Sequence, residues 1–177
     1  MNFFSYYKAI ILSKLTRKGN EYIVSKMRDE GMSIGEGTHI FSNIAASEPY
    51  LVSIGKNCTI STEVNFITHD ASVGIFMGRE KYSDVAGRII IGDNCFIGSR
   101  VLIMYGVTLP DNTLVAAGSV VTKSISETGC IIGGNPAKII GRLDDYLEKN
   151  SEFFLSLHNL NSEERKKKIL TSNLLKR

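Results

Sequence analysis

The chain has no tryptophan and only three prolines and three cysteines in 177 residues. An odd cysteine count without C-x-x-C spacing argues against both a disulfide framework and a cysteine-rich metal site. No apolar run approaches the roughly 20 residues needed to span a bilayer. The apolar run at the N-terminus is Ala9-Ile10-Ile11-Leu12, flanked by lysines and lacking a cleavage-like end. Together these features predict a reduced, cytoplasmic protein. With 22% charged residues and a net charge of +3, total charge gives no ground for nucleic-acid binding. The charge is uneven, however. Residues 161–177 hold six Lys/Arg against two Glu, or +4, which leaves −1 for the rest.

What the chain does have is a period of six. From Ile91 to Ser126 it reads Ile91-Gly92-Asp93-Asn94-Cys95-Phe96, Ile97-Gly98-Ser99-Arg100-Val101-Leu102, Ile103-Met104-Tyr105-Gly106-Val107-Thr108, and onward through blocks opened by Leu109, Val115 and Val121. Each block opens with an aliphatic residue, and its fifth residue is mostly small: Cys95, Val101, Val107, Thr113, Ser119. Six matches neither a 3.6-residue helix nor a two-residue strand alternation. It matches a short strand and a turn, repeated and stacked as a parallel β-helix with an all-β core. The first residue of each block is expected to face the shaft, the fifth to fit the corner. Cys58 and Cys95 occupy fifth positions and read as packing residues.

Earlier blocks begin at Ile34 and Ile40. The next clear one starts at Ile54, two residues later than three sixes allow, so a bulge is expected at Ser47-Glu48-Pro49-Tyr50. Blocks at Ile54, Ile60 and Phe66 follow in phase. In the third, Asp70 takes a fifth position, where a carboxylate would be costly to bury. Residues 72–88 then lose the period and predict a loop thrown out just after His69-Asp70; such loops are usually functional. The boundaries expected are an N-terminal helical segment (1–31), the β-helix (32–142) and a C-terminal helical extension (143–177). In the first, Phe3, Tyr7, Ile10, Ile11 and Leu15 share a helical face, Gly19-Asn20 interrupts it, and a second helix over 21–30 ends at Gly31. Its apolar side is expected to cover the open end of the β-helix, or to contact a membrane or partner. Residues 143–158 read as an amphipathic helix, and Asn161 with Glu164 as the capping box of a last helix through Leu175. Its Arg165-Lys166-Lys167-Lys168 run reads as a solvated face or an anionic-partner contact.

The hexads, a His at the mouth of a loop, Ala117-Gly118-Ser119-Val120-Val121-Thr122-Lys123 and the closing Gly133-Gly134-Asn135-Pro136-Ala137-Lys138 resemble the hexapeptide-repeat acyltransferases. The sugar and xenobiotic O-acetyltransferase branch is the most similar, over residues 32–142. The resemblance implies a left-handed parallel β-helix with three hexads per turn, a homotrimer, and acetyl-CoA as co-substrate. It also implies that His69 is the catalytic base, a role for which imidazole suits neutral pH. By the same resemblance, Ser99, Ala117, Thr122, Lys123 and Lys138 bind the donor. Pantetheine would lie by Ser99 and Ala117, and lysine point charges, helped by Arg142, would meet phosphates. Asn43, Asp70 and Tyr82 are the residues expected at the acceptor, a sugar hydroxyl of a surface polysaccharide or its precursor. A small xenobiotic or serine-type acceptor is the alternative, and Asp70 could instead anchor the loop.

Readings of a different class are a non-catalytic scaffold and a β-helix carbonic anhydrase with zinc on several histidines. His39 lies in an early coil and His158 in the C-terminal extension, which argues against a cluster with His69, so no metal is expected.

Overall fold

The computed structural model describes residues 19–41, 46–77 and 84–175. Helix α1 (Gly19–Asp29) leads into a first coil carrying β1 (Ser33–Ile34) and β2 (His39–Ile40). A single turn of 3-10 helix at Pro49–Leu51 precedes the second coil of β3 (Val52–Ile54), β4 (Thr59–Ile60) and β5 (Asn65–Phe66). The chain then leaves the stack as β6 (His69–Asp70), the short helix α2 (Val73–Met77) and β7 (Val85–Ala86). It returns for β8 (Ile89–Ile91), β9 (Phe96–Ile97), β10 (Leu102–Ile103), β11 (Thr108–Leu109), β12 (Leu114–Val115) and β13 (Val120–Val121). The hairpin of β14 (Cys130–Gly134) and β15 (Ala137–Arg142), then α3 (Leu143–Asn150) and α4 (Ser162–Thr171), close the molecule.

The strands form three parallel faces. The first holds β1, β3, β8 and β11; the second β2, β4, β9, β12 and β14, with β15 added antiparallel; the third β5, β10 and β13. Register gives the repeat length directly: Ile90 pairs with Thr108, Phe96 with Leu114 and Leu102 with Val120, each eighteen positions on. Three hexads therefore make one coil. Between the first two coils the step is twenty, Ser33 to Ser53. The two extra residues are taken up by the 3-10 turn, where the bulge was expected.

Burial follows the hexad. Ile91, Ile97, Ile103, Leu109, Val115 and Val121 fill the shaft, and Cys95, Val101, Val107, Thr113 and Ser119 fill the corners, all buried. Each large aliphatic so placed contributes about 1.5–3 kcal/mol relative to leaving it exposed. The fourth position also has a rule: Asn57, Asn94, Asn112, Gly106 and Gly118 all turn with φ between 53° and 77°. Asn and Gly are the residues that tolerate this left-handed turn. Glu63 and Arg100 occupy it too, at φ 59° and 60°, and pair with each other at 2.6 Å one coil apart. All three cysteines are buried and free, and burial pushes the Cys130 thiol up.

Helix α1 covers the first coil with Ile23, Val24 and Met27. Asn20 caps the exposed backbone: its Oδ1 accepts from Ile40 N at 2.7 Å and its Nδ2 donates to Thr38 O at 3.3 Å. Gly19-Asn20 thus belongs to a helix that was expected to begin after it, and Asn20 finds its side-chain partners in the coil. The apolar face read over residues 3–15 lies outside the described residues. The helix expected over 143–158 stops at Asn150. There Asn150 Nδ2 and Ser151 Oγ donate to the carbonyls of Tyr146 and Glu148, and the backbone turns 3-10 before Phe154 extends. The last helix carries the expected capping box at Asn161 and Glu164 but ends at Thr171, where Thr171 and Ser172 hydroxyls take up Lys167 and Lys168 carbonyls. Among the described residues no helix is long and apolar enough to cross a membrane.

Candidate active site

Thr68 is the last residue to follow the second coil. Ile67 N still donates to Ile103 O, and Thr68 is buried; His69 then departs with β6, paired antiparallel to Ala86 of β7. The extruded segment therefore starts at His69, three residues before the loop boundary at 72 that the lost period suggests. Asp70 never enters a corner, which removes the burial cost that its hexad position implied. It stays half-buried, and its Oδ1 accepts from Ser72 N at 2.7 Å, a bond that holds its carboxyl below the usual range.

Glu48, on the two-residue enlargement of the first coil, reaches His69. Its Oε2 lies 2.9 Å from His69 Nδ1 and also accepts from the Thr68 hydroxyl. Glu48 N in turn donates to Thr68 Oγ1 at 3.3 Å. The Thr68 and His69 bonds hold the Glu48 carboxyl below its ordinary value, so it is ionised at neutral pH. An ionised carboxylate only accepts, so the shared proton belongs to Nδ1 and, in the neutral ring, Nε2 carries the free lone pair. The Glu48 hydrogen bond and charge raise the His69 pKa, with Asp84 and Asp70 adding to it. The ring is about one-third exposed, and Nε2 has no partner among the described residues.

The edge His69 occupies, between the third and first faces, also carries Met104-Tyr105 and Thr122-Lys123 on the following coils, as Met104 N donating to Val121 O shows. Ser99 and Ala117 stand elsewhere, on the edge between the second and third faces. There Ser99 O accepts from Gly118 N at 2.8 Å, and Ser99 Oγ meets Ser61 Oγ at 2.7 Å. They line a groove of about 710 Å³ whose apolar wall is Phe96, Leu114, Ile131, Ile140 and Tyr146. Between the first and second faces, Asp93 and Asp111 side chains accept from the N–H groups of Lys56 and Asp93 at 2.7 Å. The corresponding N–H groups of Ser99 and Ala117 find no acceptor among the described residues. Two donors spaced one coil apart thus face an apolar trough.

These hexads match the family model "Hexapeptide repeat of succinyl-transferase" over residues 88–123. Protein CapG of Staphylococcus aureus is 40% identical over 164 residues, covering 90% of this chain and 92% of CapG. The chain belongs to the hexapeptide-repeat acetyltransferase family. Galactoside O-acetyltransferase of Escherichia coli is 34% identical over 63% of this chain, which spans 54% of that protein. A hexapeptide-repeat-containing acetyltransferase of Vibrio cholerae, solved with acetyl coenzyme A, is 30% identical with a TM-score of 0.56, over 64% of this chain and 61% of that one.

Set against the residues expected from the sequence, this acetyltransferase fold brings Ser99 and Ala117 together in one groove. It puts Thr122 and Lys123 on the edge of His69 instead. Lys138 and Arg142 lie on β15, where Arg142 pairs with Glu127 and donates to Thr128 O at 3.2 Å. Asn43 and Tyr82 lie outside the described residues. His39 stacks on Phe41, at a ring distance of 6.4 Å, and His158 follows α3 on the surface. Sequence reading missed Glu48, whose signal was the length of the bulge that carries it. It also missed Tyr146 and Ile140 as groove wall, because they are far from the hexads in the chain.

Proposed function

We propose that the protein moves the acetyl group of acetyl-CoA to a hydroxyl of a sugar, in a surface polysaccharide or its precursor, with His69 as general base. The carrying observation is an imidazole about one-third exposed at the root of an extruded ribbon, with Nδ1 engaged and Nε2 without a partner among the described residues. Nε2 takes the acceptor's hydroxyl proton as that oxygen attacks the thioester carbonyl. Collapse of the tetrahedral intermediate breaks the C–S bond, and the proton passes from Nε2 to the departing thiolate. The products are the O-acetyl sugar and free CoA.

The groove at Ser99 and Ala117 suits pantetheine. Its apolar wall takes the methylenes and methyls, and the two unpartnered N–H groups take amide carbonyls. Thr122, Lys123, Lys138 and Arg142 serve the phosphates. Asn43, Asp70 and Tyr82 serve the acceptor. Because His69 and the groove stand on different edges of one chain, a complete site joins two copies; with a left-handed coil this is a cytoplasmic homotrimer, with sites between subunits. The name of the galactoside O-acetyltransferase supports the sugar branch.

The test is thiol release from acetyl-CoA across a panel of sugars and polysaccharide repeats, with antibiotics and serine as competing acceptors. Turnover is expected on a sugar, and His69→Ala should lower kcat by ~10²–10⁴-fold with an unchanged melting temperature. Retained turnover in that variant, or loss explained by unfolding, removes His69 as base. Turnover confined to serine or an antibiotic removes the sugar.

A further inference from the structure

We propose that Glu48 is the positioning residue of the His69 imidazole, and that the enlargement of the first coil serves to place it. This rests on the reading of His69 as base. Three groups close a ring. Glu48 Oε2 faces His69 Nδ1 at 2.9 Å, the Thr68 hydroxyl donates to that same oxygen, and Glu48 N donates back to Thr68 Oγ1. Thr68 is buried, so its hydroxyl is fixed, and it fixes the carboxylate rotamer in turn. Glu48 also precedes Pro49, whose ring disfavours the helical region for it, and its φ of −118° and ψ of 80° lie outside that region. The carboxylate is thereby held rather than searching. Asp70, the neighbour in sequence, spends its Oδ1 on Ser72 N instead.

The consequence is chemical. A carboxylate on Nδ1 selects the tautomer that presents Nε2 to the acceptor, and it stabilises the imidazolium formed when Nε2 gains the hydroxyl proton. Among the described residues the charged groups acting on the ring are Glu48 from the first coil, Asp70 on its own strand and Asp84 before β7. All three favour the charged ring. Since the base must be neutral, removing Glu48 moves the acid limb of the rate profile to lower pH while the plateau falls. Asp70 and Asp84 remain and still raise the ring's pKa, opposed by the desolvation that lowers it.

The experiment joins pH–rate profiles of wild type, Glu48→Gln and Glu48→Asp to nitrogen-15 NMR of the histidine side chains. Wild type above its acid limb should show His69 protonated on Nδ1; protonation on Nε2 overturns the proposal without any variant. Glu48→Gln should lose plateau kcat by roughly 10²-fold, the low end of what general-base catalysis contributes. Its acid limb should move down and Nε2–H should gain population, while Glu48→Asp recovers part of the rate. A fallen plateau with an unmoved limb and unmoved tautomer makes Glu48 a brace of the ribbon and overturns the proposal. If His69→Ala is inactive and Glu48→Gln is not, the base stands and the positioning role falls. If His69→Ala keeps turnover, the base reading falls first.

Discussion

At the residue scale, this acetyltransferase turns on very small allowances of space. A Cβ added to Gly98 would lie 2.6 Å from Ala117 N and 2.8 Å from Val115 O, both backbone atoms of the next coil. Neither can swing aside as a side chain would. Gly98→Ala should therefore cost about 1–3 kcal/mol, the usual range for overpacking, read as a lower denaturation midpoint. Because Ala117 lines the groove, the acetyl-CoA KM should rise in the same variant while the acceptor KM stays. A variant with unchanged midpoint and KM would show that neighbouring coils can part. The lysines make a second prediction at this scale. Loss of a charge-assisted phosphate contact is worth ~1.5–3 kcal/mol, so Lys123→Ala or Lys138→Ala should raise acetyl-CoA KM at least ~10-fold. Both are exposed, which favours the lower figure. Steady-state KM values for acetyl-CoA and for a donor lacking the 3′-phosphate separate the two sites: a lysine on that phosphate should matter only for the intact donor.

Elements repeat the hexad until something breaks it, and the breaks are where the proposed chemistry gathers. The 3-10 turn at Pro49–Leu51 carries Glu48 on its N-terminal side, and the ribbon of β6 and β7 carries His69. Within that ribbon α2 is too short to bury anything: Ile75 and Phe76 are 77% and 86% exposed. The last helix, α4, belongs to a different regime, being held by its cap and not by burial. Asn161 accepts from Glu163 N and Glu164 N at 3.0 Å, and Glu164 Oε2 accepts from Asn161 N at 2.9 Å. Asn161→Ala should weaken α4 by ~1 kcal/mol. Since α4 has no buried residue, that loss should appear as faster hydrogen exchange over 162–171, with the main melting transition unmoved. A shift of the whole transition would mean that α4 is coupled to the β-helix.

At the scale of the whole molecule, the edge of His69 and the groove edge point in different directions, with the face of β5, β10 and β13 between them. If one site joins two copies, light scattering should give about three times 19.5 kDa. Mixing supplies the sharper check. His69→Ala and a groove-blocking Ala117→Trp should each be inactive alone. Unfolded and refolded together, they should regain part of the wild-type rate, because hybrid trimers contain sites with both intact edges. A mixture no better than its parts, or a fully active monomer, would refute the shared site.

The hexad period by itself determined the coil, the identity of the shaft residues and the departure of the chain near His69, whereas the eighteen-residue turn was implied by the family resemblance and is shown by the strand register. The period could do so because every coil buries the same two positions, and a local pattern repeated that often leaves few other ways to hide the aliphatics. The left-handed turns at fourth positions were not read from the sequence, although Asn and Gly there suit them. Only the tertiary structure decided that Glu48 faces His69 and that Asp70 turns away to Ser72, because a bulge tells how many residues are extra but not where their side chains go. It likewise decided that Ser99 and Lys123, both in the same hexad series, stand on different edges. Sequence distance counts residues along the coil, whereas the site depends on the angle around it.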